Sequence, residues 1–139
     1  MIFIGIDTGT HTGLAVWDST AKELLVLKTL SITQAMAEVR ETSEFFKAYG
    51  TEVRLYIEDA RQRKWFGHTG RGRLKGAGSV CRDARIWQDW CREQGLVCEM
   101  VAPQRNRTKL SDAQFRWLTG WCGRTSEHAR DAAMLVYGK

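Results

Sequence analysis

Proline occurs once in this sequence, at Pro103, and no apolar run approaches the length needed to cross a bilayer. No secretory apolar segment opens the chain. The four cysteines, Cys81, Cys91, Cys98 and Cys122, form no C-x-x-C pair and have no histidine at zinc-ligand spacing. These absences argue against a membrane protein, a secreted disulfide framework and a zinc site. They lead us to expect free thiols in a soluble, cytoplasmic protein. Acids are missing altogether from residues 61–75, a local gap that bears on function below.

What is present is ordinary globular material. Hydrophobic residues make up 43% and charged residues 27%, which excludes disorder, collagen and coiled coil as the organising principle. A length of 139 residues suits one domain, 1–139, with no linker, repeat or low-complexity segment. Lys and Arg number 21 against 16 acids, a formal charge of +5. A basic balance permits nucleic-acid binding without establishing it.

Residues 2–7 read as a buried strand ending in Asp7, followed by Thr and Gly turn residues. Residues 14–18 and 24–30 complete an antiparallel meander. Ser31 and Gln34 have capping-box spacing, and Ile32, Met36, Val39 and Phe46 recur at helical spacing toward Gly50. Residues 53–58 form a fourth strand, again ending in an acid. Residues 60–78, glycine-rich and basic, read as a loop. Val80, Ala84, Trp87 and Cys91 mark the next helix, closed by Gly95, and 96–101 a fifth strand stopped by Pro103. Ser111 and Gln114 begin a helix carrying Leu118, Trp121 and Cys122, ended by Gly123. Residues 126–137 form the last helix. The expected fold is α/β, a mixed five-stranded sheet flanked by helices.

Residues 2–7 and 53–58 are largely apolar strands that end in the carboxylates Asp7 and Glu58. An acid at a strand end is poorly solvated unless hydrogen-bonded, paired or coordinating a cation. Thr and Gly already supply the turn after Asp7, so the turn does not require an aspartate there. Glu is depleted in strands and is a poor turn residue, which favours a site role for Glu58. Asp59 points to the opposite side if the strand continues, and is left as a cap or spare. His128 and Asp131 stand three apart on one face of the last helix, with Glu127 sharing that face less directly. Hard divalent cations take oxygen ligands of this kind, and two such ions about 4 Å apart can activate a water and stabilise a leaving oxygen.

Ile4-Gly-Ile-Asp7-x-Gly9-x-x-x-Gly13 resembles the first strand and turn of the RuvC-type Holliday junction resolvases. Tyr56-Ile-Glu58 looks like their fourth strand, and Glu127-His128-Ala-Arg-Asp131-Ala-Ala like their C-terminal helix. The resemblance implies an RNase H-like fold over the full chain and structure-specific cleavage of four-way DNA junctions by paired symmetric nicks. It further implies a homodimer and two Mg²⁺ or Mn²⁺ ions per site, with no nucleotide cofactor. Carried over by position, the metal-binding acids are Asp7, Glu58 and Asp131. His128 falls where the family has an acid or a histidine, as ligand or as base. Some members place an aromatic wedge after the second acid; Trp65 and Phe66 are the candidates here, at an offset that departs from the family.

Arg61, Arg63, Lys64, Arg71, Arg73 and Lys75 fall in the acid-free segment directly after the second acid, and Arg105, Arg107 and Lys109 follow the fifth strand. Such residues would neutralise backbone phosphates, and Trp65 and Phe66 would stack on a base or wedge between steps. The small size and basic segment would suit a phage-encoded member.

Other readings compete. A same-fold nuclease could act on flaps, other branched DNA or RNA. An actin-like or sugar-kinase ATPase would use Asp7-Thr-Gly-Thr as a phosphate loop, but needs a second large domain. A non-catalytic DNA-binding module gains nothing from acids facing phosphate.

Overall fold

The computed structural model describes residues 1–62, 71–103 and 109–139, with the backbone alone for 71–77. Five strands and four helices follow in the order β1 (Ile2–Asp7), β2 (Thr12–Asp18), β3 (Glu23–Leu30), α1 (Ile32–Ala48), β4 (Val53–Glu58), α2 (Arg71–Glu93), β5 (Cys98–Val101), α3 (Asp112–Thr119) and α4 (Glu127–Met134). A short 3₁₀ turn, Ala60–Gln62, follows β4.

The sheet order is β3-β2-β1-β4-β5. β1 pairs antiparallel with β2, and β2 with β3; β1 and β4 run parallel, as do β4 and β5. The fold is therefore α/β with a mixed sheet, as the sequence pattern indicates. β1 is the central strand and is buried along its whole length. That explains why it reads as an apolar run rather than an alternation.

Side-chain parity along β1 divides the core in two. Ile2, Ile4 and Ile6 join Leu14, Val16, Leu55 and Ile57 on one face, beneath Ala35 and Val39 of α1 and Trp87 and Cys91 of α2. Phe3, Ala15, Trp17 and Tyr56 line the other face, against Phe115 of α3 and Ala129, Ala132 and Ala133 of α4. Asp7 shares the parity of Phe3, and Glu58 that of Tyr56. Both acids therefore belong to the α4 face, at neighbouring strand ends.

Two glycines set how closely α4 approaches that face. A Cβ on Gly5 would lie 2.1 Å from the carbonyl oxygen of Ala132, and one on Gly13 would lie 1.9 Å from that of His128. Both contacts are backbone, so only glycine permits the helix to rest there. Ser126 caps α4, its hydroxyl accepting from the Ala129 N–H at 3.2 Å. The same hydroxyl makes a short hydrogen bond with Thr29 of β3, tying the start of the helix to the sheet edge.

Three expectations are corrected. Residues 60–78 are not all loop: α2 begins at Arg71. Glycine disfavours helix by only about 1 kcal/mol per residue, and this stretch runs directly into a helix whose Ala84, Trp87 and Cys91 are fully buried. α3 ends at Gly120, not Gly123, because Gly120 takes the left-handed conformation at φ 71° and donates back to Arg116. Trp121 and Cys122 follow the helix. α4 ends at Met134, with residues 135–138 in turns.

Candidate active site

β1 and β4 are parallel neighbours, so their final carboxylates emerge at the same end of the sheet. The connection after Asp7 is fastened on both sides. The Thr8 hydroxyl donates to the Glu58 carbonyl at 3.3 Å, and that of Thr12 to the Gly9 carbonyl at 2.8 Å. Gly13, the cross-strand partner of Asp7, carries the backbone of His128. This stacking delivers the histidine to the aspartate across 121 residues of sequence.

His128 Nδ1 lies 2.9 Å from Asp7 Oδ2. Where a neutral ring faces the ionised carboxylate, Nδ1–H is the donor and Nε2 the acceptor nitrogen. Asp7 is almost wholly buried, whereas the His128 side chain is 47% exposed. Burial is the main cause that pushes the Asp7 carboxyl up to about 7, with Glu58 and Asp131 adding repulsion and His128 opposing it. Asp131 is half-buried and its carboxyl is also raised, first by burial, then by Glu58 and Glu127, with Lys109 and His128 opposing. Glu58 repels both aspartates. The three acids thus share one electrostatic neighbourhood.

The donor set consists of three carboxylates and an imidazole, oxygen-rich chemistry that fits Mg²⁺ or Mn²⁺. Among the described residues, no three His, Cys, Asp or Glu side chains stand close enough to hold an ion as they are arranged. The Asp7–His128 contact engages one oxygen of Asp7, the most buried of the three acids. Ligation by that oxygen would require the pair to open.

Of the other residues singled out in the sequence, Glu127 pairs with Lys109 at 3.4 Å. That puts the one described member of the second basic stretch beside α4. Arg61 is held by the chain itself. Its Nε lies 2.7 Å from Asp59 Oδ1, and its terminal nitrogen donates to Asp59 Oδ2 and to Gln88 of α2, both at 2.9 Å. Asp59 is thus the cap of the 3₁₀ turn, its Oδ1 accepting from the Arg61 backbone N–H at 3.0 Å, and also the buried anchor of the Arg61 guanidinium. Burial alone would raise its carboxyl, yet hydrogen bonds from Arg61 and Gln62 hold it below the usual range. Arg71, Arg73 and Lys75 fall on the first turns of α2, with side chains outside the described set. Arg63, Lys64, Trp65, Phe66, Arg105 and Arg107 lie outside the described residues.

One residue at the site was not singled out in the sequence. The His11 ring stacks beside that of His128, with centroids 6.3 Å apart and planes 26° from parallel. A lone histidine in a turn carries no periodic or spacing signal, so only the fold reveals it.

All four cysteines are free thiols. No helix of the described residues is long and apolar enough to cross a membrane. No protein-family model matches the chain, and no curated protein matches it significantly.

Proposed function

We propose that this chain is a metal-dependent endonuclease of RNase H-like fold that cleaves branched DNA, with the four-way junction as its preferred substrate. One observation carries the reading. Asp7, Glu58 and Asp131, from two adjacent strand ends and one helix, share a neighbourhood in which Asp7 is bonded to His128. Asp7 and Asp131, both raised by burial and then by the charge of Glu58, are costly to a fold, a cost that a bound cation would offset. The sheet order, antiparallel over β1–β3 and parallel through β4 and β5, supports the fold assignment.

Asp7, Glu58 and Asp131 would hold Mg²⁺ or Mn²⁺, two ions per site, which when bound supply charge neutralisation and Lewis acidity at a phosphodiester. Asp7 fixes the His128 tautomer by taking Nδ1–H. Nε2 then accepts a proton from the attacking water, whose oxygen forms the new bond to phosphorus as one P–O ester bond breaks and the leaving oxygen takes a proton from solvent. Lys109 lies beside the α4 end of the site, where a cation would meet a backbone phosphate. The remaining basic residues, Arg63, Lys64, Arg71, Arg73, Lys75, Arg105 and Arg107, would extend that contact, with Trp65 and Phe66 stacking on bases. Paired nicks at symmetric positions require two sites, hence a homodimer.

The test is cleavage of a labelled four-way junction beside matched linear duplex, flap and RNA duplex, with Mg²⁺, Mn²⁺ or EDTA. Symmetric, metal-dependent nicks in the junction alone are expected. Cutting of all forms would retain the nuclease and remove the junction preference. Shape-selective binding with no cutting would replace the enzyme by a binding module.

A further inference from the structure

We propose that His11 is a positioning residue for His128, acting through the flat face of its ring. The His128 imidazole sits at the surface and, among the described residues, is held by one side-chain hydrogen bond, Nδ1 to Asp7 Oδ2 at 2.9 Å. A single contact at one edge leaves the ring free to tilt about it. The His11 ring lies beside it in an offset, near-parallel arrangement, with centroids 6.3 Å apart and planes 26° from parallel, within the range of stacked aromatic pairs.

The loop that carries His11 is built to hold it there. Gly9, two residues earlier, adopts φ 153°, which side-chain-bearing residues rarely take. Thr12, the next residue, is fully buried and donates to the Gly9 carbonyl at 2.8 Å. Thr8 is buried and bound to β4 through the Glu58 carbonyl. His11 itself is exposed, so it serves neither core. Its recorded ring partner is the one histidine bonded to the candidate catalytic aspartate. Asp7, His128 and His11 thus form a row, with the hydrogen bond limiting one motion of the middle ring and the stack limiting another.

The consequence for catalysis rests on the nuclease reading, whereas the consequence for the ring does not. The experiment compares wild type, His11→Ala and His11→Phe by two readouts. The first is the single-turnover rate on a labelled four-way junction with Mg²⁺, alongside junction affinity. The second is the side-chain nitrogen NMR spectrum of His128 in the metal-free chain, at a pH where the ring is neutral. His11→Ala is expected to slow cleavage about tenfold, the lower end for groups that orient a reacting side chain. Affinity should be unchanged, and the His128 nitrogens should move away from the Nδ1–H pattern. His11→Phe keeps the ring face without the nitrogens, and should restore both rate and spectrum.

Unchanged rate and spectrum in His11→Ala would overturn the proposal. So would a His11→Phe variant as impaired as His11→Ala, because the nitrogens rather than the face would then be what matters. If wild type cuts no nucleic acid yet the His128 spectrum follows the ring at position 11, the nuclease reading falls and the positioning stands.

Discussion

The carbonyl oxygen of His128 occupies the space that a side chain on Gly13 would fill, 1.9 Å from an ideal Cβ. Because Gly13 is the cross-strand partner of Asp7, this contact and the Asp7–His128 hydrogen bond are two parts of one arrangement. The helix can bring its histidine to the aspartate only while the neighbouring strand has no side chain beneath it.

Gly13→Ala must therefore displace α4. Overpacking of this kind costs about 1–3 kcal/mol, and more where backbone opposes backbone. We expect a drop of at least about 2 kcal/mol in urea unfolding, with loss of the Asp7–His128 contact. Gly5→Ala, which would meet the Ala132 carbonyl at 2.1 Å, should behave alike. Wild-type midpoints for both variants would show that α4 is not seated as described.

Asp7 makes the metal-free protein pH-sensitive. Its folded carboxyl is raised to about 7 from an ordinary 3.8. The folded state therefore holds a proton that the unfolded state has released, and the associated stability is present below pH 4 and lost as pH rises toward 7. Asp7→Asn removes this contribution, so its metal-free stability should exceed that of wild type at pH 8. Mg²⁺ should raise the wild-type Tm more at pH 8 than at pH 5, because it binds the ionised acids. Thermal unfolding across pH with and without Mg²⁺ checks both, and a wild-type advantage at pH 8 without metal would contradict the assignment.

Arg61 is expected to act in stability more than in DNA affinity. Removing it leaves the Asp59 carboxylate buried without its cation, and Arg61→Ala should cost on the order of 1–3 kcal/mol. A double-mutant cycle with Asp59→Asn should recover part of that loss. Additive losses would mean that the pair is not coupled.

His128→Ala removes the proton acceptor. A positioned general base contributes about 10²–10⁴-fold, so single-turnover cleavage should fall within that range while junction affinity is retained. An equal loss in both would make His128 a binding residue instead.

The sequence carries these features unevenly. Ser31 and Ser111 announce their helices, and both capping boxes form as the spacing indicates. Asp7 and Glu58 are legible because an acid ending an apolar strand conflicts with local propensity, and strand parity correctly separates Glu58 from Asp59. The start of α2 is hidden because its glycines and cations have no helical period until Val80. The end of α3 is misplaced because Gly120 and Gly123 offer the same signal, and only the left-handed φ at Gly120 decides between them. His11 is invisible locally, since its ring partner lies on a distant helix, whereas Asp59 and Arg61 stand only two residues apart and pair locally.

The most direct test of the central claim is Mg²⁺-dependent cleavage of a four-way junction by Asp7→Asn beside wild type, with binding measured on the same substrate. The substitution keeps size and hydrogen bonding while removing the charge that would hold a cation. Loss of cleavage with junction affinity largely intact is the expected result. Cleavage at the wild-type rate would remove Asp7 from the site and, with it, the account of the three acids as a metal centre.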